Sequence, residues 1–112
     1  MTDLPHPILP EAWRYEIVGL RLEQEPRDAQ EPYLDLTLKR GTERRVLRFW
    51  SPQNLTVEQG GPRMTHGLTI QDVRARQLDG LGVLVDDFEA SPGKVSFWAR
   101  HVEELLTMSS VD

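Results

Sequence analysis

The stretch Tyr33-Leu34-Asp35-Leu36-Thr37-Leu38-Lys39-Arg40-Gly41-Thr42-Glu43-Arg44-Arg45-Val46-Leu47-Arg48-Phe49-Trp50 decides the fold. With Gly41-Thr42 as a tight loop, Arg40 faces Glu43, Thr37 faces Val46 and Leu36 faces Leu47. Asp35 then faces Arg48, Leu34 faces Phe49 and Tyr33 faces Trp50. Gly at the first loop position suits a type II′ turn, whose positive φ costs glycine little. Almost every facing pair is apolar with apolar or acid with base, and a slip of one residue would destroy that matching. The segment is therefore expected to be a β-hairpin in this register, with Leu34, Leu36, Leu47 and Phe49 on its core face.

Upstream, Trp13 to Glu23 has strand character, but its apolar parity changes midway. Trp13, Tyr15 and Ile17 are odd, Val18, Leu20 and Leu22 even, and a switch beside Gly19 predicts a β-bulge. Residues 1–12 hold three prolines and read as an extended lead-in from which Leu4, Ile8 and Leu9 can pack onto the body. Glu11-Ala12 can start one helical turn. Downstream, further strands are expected at Leu55–Glu58, Leu68–Val73, Val83–Phe88 and Lys94–Ala99 or beyond, punctuated by Gly60-Gly61-Pro62, Asp79-Gly80 and Ser91-Pro92-Gly93. Val102, Leu105 and Leu106 have helical spacing, so the end of the chain is open to a short helix or a continued strand, with 107–112 as a flexible tail. The expected fold is mainly β, a single domain over 1–112: an antiparallel sheet roll or sandwich of about six or seven strands with at most one short helix.

A chain of 112 residues can bury one modest core. Hydrophobic content of 38% with 28% charged residues fits a soluble globule. The absence of cysteine excludes disulfides, thiolate nucleophiles and sulfur-ligated zinc. Met1 to His6 has no basic region and no apolar core, so a secretory signal is not expected; no apolar run approaches the roughly 20 residues of a membrane span, and the cytoplasm is the default location. Eleven Arg against two Lys hints at a bacterial, GC-rich source. The net charge of −5 argues against a general nucleic-acid binder, although residues 39–71 carry +4 between segments of −5 and −4.

The catalytic inventory is thin. His6, His66 and His101 lie far apart without metal-ligand spacing, and no cofactor is expected. Asp86 and Asp87 are neighbours on an expected strand and so point to opposite faces. Neither a P-loop nor a nucleophile elbow occurs. The functional expectation therefore falls on the outer hairpin face, where Tyr33, Lys39, Arg44, Val46, Arg48 and Trp50 lie opposite the core residues, with Asp35 partly neutralising Arg48. Trp98 similarly opposes Val95, Phe97 and Ala99. An aromatic sheet face must be covered by the chain or bind something, and Trp, Tyr and Arg anchor interfaces. The leading expectation is a non-catalytic protein-interaction module, an immunity-type inhibitor being one form, contacting its partner through Tyr33, Arg44, Arg48, Trp50 and Trp98. The partner is then an unknown protein or a second copy of the chain. The alternative is a small ligand-binding barrel or enzyme using His66 with Asp72 or Asp86 in a pocket.

Overall fold

The hairpin forms in the expected register. In the computed structural model, which describes residues 4–27, 30–57, 68–74, 80–87 and 95–109, Tyr33 to Arg40 pair with Trp50 to Glu43 without a slip. Gly41 has φ +60 and Thr42 keeps a negative φ, the pattern of a type II′ turn. The elements are β1 (Leu4–Pro5), a 3₁₀ turn (Ala12–Arg14), β2 (Glu16–Glu23), β3 (Tyr33–Arg40), β4 (Glu43–Trp50) and β5 (Gln53–Val57). They continue with β6 (Leu68–Asp72), β7 (Val83–Asp87), β8 (Val95–Ala99) and β9 (His101–Ser109).

The strands form two antiparallel sheets, ordered β2-β3-β4-β9 and β1-β6-β7-β8-β5. The anticipated bulge is present: Ile17 pairs with Leu38 and Gly19 with Thr37, leaving Val18 as the extra residue. Three details differ from expectation. Trp13 belongs to the 3₁₀ turn and not to the strand. The described strands number nine, because Leu4–Pro5 adds an edge and the chain breaks at Arg100 into β8 and β9. The C-terminal segment is a strand and not a helix, and residues 107–109, assigned to a tail, pair with Arg45, Arg44 and Glu43.

A shared corner joins the sheets. β4 continues into β5 through Ser51, and β8 into β9 through Arg100. Because β4 pairs with β9 and β5 with β8, the same two long strands bend together from one sheet to the other. The architecture is thus one strip rolled over on itself. Ser51 and Asn54 make the bend with left-handed backbone, φ 53 and 56. Ser51 N–H donates to the Pro32 carbonyl at 2.8 Å, and Arg100 N–H to the Trp50 carbonyl at 2.9 Å. The Glu31 carboxylate receives both the Ser51 hydroxyl and the Arg100 guanidinium, which hold it below the usual carboxylate range. Gly82 lies against this corner, where a Cβ would sit 2.7 Å from the Arg100 carbonyl oxygen, so only glycine fits.

The core fills the space between the sheets. Leu34, Leu36, Leu38, Leu47 and Phe49 from one meet Leu68, Ile70, Val83, Val85, Val95, Phe97 and Ala99 from the other. Phe49 and Phe97 meet edge to face at 5.0 Å. The lead-in closes one end of the roll, burying Leu9, with Ala12 and Tyr15 beyond it. There the inner face turns polar: Arg45 shares the parity of Leu47 and grips Glu104 through bonds of 2.8 and 2.7 Å. Arg45 also donates to the Ile8 carbonyl at 3.3 Å, and Tyr15 donates to Glu43. Hydrogen bonding to Glu104 raises the Arg45 pKa further against the pull of burial.

Candidate functional site: the outer face of the four-stranded sheet

Strand parity sends alternate residues of β2, β3, β4 and β9 outward, where they line up in rungs across the sheet. One rung reads Glu23, Tyr33, Trp50, His101 and the next Arg21, Asp35, Arg48, Glu103. The third begins Gly19, Thr37, Val46, and near the hairpin turn Glu16, Lys39 and Arg44 form the last.

The centre of the face is a fixed stack. Arg48 binds Asp35 side-on, Nε to Oδ1 at 2.9 Å and Nη2 to Oδ2 at 3.0 Å. Both side chains are largely withdrawn from water, at 16% and 14% exposure. The guanidinium carbon lies 3.6 Å from the Tyr33 ring centroid and 5.5 Å from that of Trp50. The Tyr33 and Trp50 rings meet edge to face at 5.5 Å. Each contact restrains Arg48, so a long side chain with several free torsions is held in one orientation before any partner arrives.

The expected residues are therefore only partly brought together. Tyr33, Arg48 and Trp50 form one unit, but Tyr33 is 3% exposed and serves as the platform beneath Arg48. Arg44 is exposed and lies four residues from Arg48 along β4, about 13 Å away. Trp98 is half-buried on the outer side of the other sheet, between Leu84 and Gln53. Beside Tyr33 a hollow of about 440 Å³ is lined by Arg21, Glu23, Glu25, Arg27, Tyr33 and Arg48. Sequence reasoning did not find this hollow, because its lining is completed by Glu25 and Arg27 of the irregular segment after β2.

His66 lies outside the described residues. Of its suggested carboxylates, Asp72 is engaged by Arg74, whose Nη2 lies 2.6 Å from Oδ2 and whose backbone N–H donates to Oδ1 at 3.0 Å. These bonds pull the Asp72 pKa down to about 2. The Asp86 carbonyl accepts from the Thr69 hydroxyl at 3.3 Å. His6 uses Nδ1 to accept the Ile8 N–H at 3.1 Å, and burial lowers its pKa while Asp72 pulls the other way. Among the described residues no three His, Asp or Glu side chains are placed to hold a metal ion. No described helix is long and apolar enough to cross a membrane.

Compared with protein-family models, curated proteins and solved structures, the chain matches none.

Proposed function

We propose that this chain is a non-catalytic protein-interaction module of the cytoplasm that binds through the outer face of its four-stranded sheet. The observation that carries the reading is the Asp35–Arg48–Tyr33–Trp50 stack. Immobilising a rotamer-rich side chain on binding costs roughly 0.5–1.5 kcal/mol, and here that ordering is already met in the free protein. Trp50 and Arg48 are the residue types that dominate interface energetics, and they sit centrally, ringed by the exposed Arg21, Arg44 and Glu103. Tyr33 acts as support, Arg44 as a flanking cation, and Trp98 extends the surface around the corner of the roll.

The test uses the protein and a Trp50→Ala/Arg48→Ala variant, each immobilised and offered cell lysate. A protein retained by the former is purified and titrated against both. Loss of central anchors predicts at least roughly 30-fold weaker binding. Equal affinity for a variant that keeps its circular dichroism spectrum overturns the assignment.

A further inference from the structure

We propose that the partner of this face is a second copy of the chain, packed face to face about a two-fold axis running along the strands between β3 and β4. The proposal deepens the interaction-surface reading and rests on it. Across β2, β3, β4 and β9 the central rung reads Arg21, Asp35, Arg48, Glu103: plus, minus, plus, minus. A two-fold along the strands reverses the strand order and keeps each rung at its own height. Arg21 then meets the partner's Glu103, and Asp35 meets the partner's Arg48. The symmetry repeats both contacts, as an isologous interface requires. A two-fold lying along the rung would instead set each charge on its own copy, so the pattern selects one axis.

The neighbouring rung obeys the same operation. Glu23 meets the partner's His101, and the Arg48–Tyr33 stack meets the partner's Trp50. The shape agrees: the hollow lies on the β2 side of the face, while Trp50 and His101 lie on the β4–β9 side, so the axis carries each protomer's Trp50 and His101 toward the other's hollow. On the far side of the central rung Gly19, Thr37 and Val46 are small enough for close approach. One rung opposes the arrangement, since Lys39 would face the partner's Arg44. The interface is therefore the three rungs from Glu23 to Gly19, with the twist of the two packed sheets parting them toward the hairpin turns. Among the described residues Glu103 has no ion-pair partner within its own chain, and Arg21, which it meets, stays 71% exposed in its pair with Glu23 at 3.1 Å.

Four strands about 4.8 Å apart and three rungs about 6.8 Å apart give a patch of roughly 400 Å² per protomer. A contact of this size makes a weak, concentration-dependent dimer. Sedimentation equilibrium from micromolar to millimolar protein should show the average mass rising from 12.9 kDa toward twice that value. Arg21→Glu and Glu103→Arg should each abolish the rise, since each creates two like-charge contacts across the axis. An equimolar mixture of these two variants should restore it, because every Glu then meets an Arg; both sites are exposed, and circular dichroism verifies folding. A monomer at all concentrations, or a dimer indifferent to both reversals, overturns the proposal. A monomeric chain that still loses its captured partner on replacing Trp50 and Arg48 overturns the second-copy assignment alone and leaves the interaction surface standing.

Discussion

Arg48 can be a preorganised anchor only if its pairing with Asp35 has a cost when broken. Two unit charges about 4 Å apart attract by about 4 kcal/mol at an effective dielectric near 20, and desolvation offsets part of this. Exposed pairs couple by about 0.2–1 kcal/mol, and removing one partner of a buried pair costs about 3–5 kcal/mol. With both side chains near 15% exposed and two bonds of 2.9 and 3.0 Å, this pair lies between those limits. Asp35→Asn keeps the shape and one acceptor and is expected to cost about 2 kcal/mol. Arg48→Met keeps the apolar stem and should cost about 3 kcal/mol, since the cation over Tyr33 is lost as well. The double variant should be about 2 kcal/mol more stable than additivity allows. Urea unfolding followed by tryptophan fluorescence supplies the four free energies, and melting points should fall by about 4 °C per kcal/mol. A coupling below about 0.5 kcal/mol would mean a solvated pair, and the preorganisation argument would fail with it.

Phe97→Ala removes the ring that meets Phe49 between the sheets and should destabilise the protein by about 3–5 kcal/mol in the same assay. Gly41→Val forces a β-branched residue to φ +60 where nothing crowds the new side chain, so a cost of about 1–2 kcal/mol tests backbone strain alone. The Asp72 pKa is depressed from 3.8 to about 2, so its bonds to Arg74 stabilise the fold above pH 4 and are lost as pH falls toward 2. A carboxyl-carbon NMR titration should show this low value and its return to the ordinary range in Arg74→Ala. Glu31→Gln should speed amide exchange at Ser51 and Arg100, whose side chains share that carboxylate, and leave the β3–β4 ladder protected.

The hairpin was legible because two independent signals, alternation and charge matching, agree in one register only. The bulge at Val18 was legible because the parity of apolar residues shifts there. β9 was ambiguous for a physical reason. A bulge makes Leu105 the extra residue between Glu104, which pairs with Leu47, and Leu106, which pairs with Val46. The interruption breaks the period of two and leaves Val102, Leu105 and Leu106 at the spacing of a helix. The Asp35–Arg48 pairing followed from the register, but the burial of Tyr33 did not, since it depends on how Arg48 lies across the ring. Arg45 shares its parity with Leu47 and Phe49 and so points inward, but its pairing was not legible because its partner, Glu104, belongs to the segment whose structure the sequence left open.

Amide chemical shifts recorded as the protein is concentrated, and again as a captured partner is added, test directly whether the outer face of the four-stranded sheet is the contact surface. Changes are expected at Arg21, Glu23, Arg48, Trp50, His101 and Glu103, with Thr69 and Gln71 in β6 of the other sheet unmoved. Changes confined to Thr69, Gln71 and their β6 neighbours, or none under either condition, would contradict it.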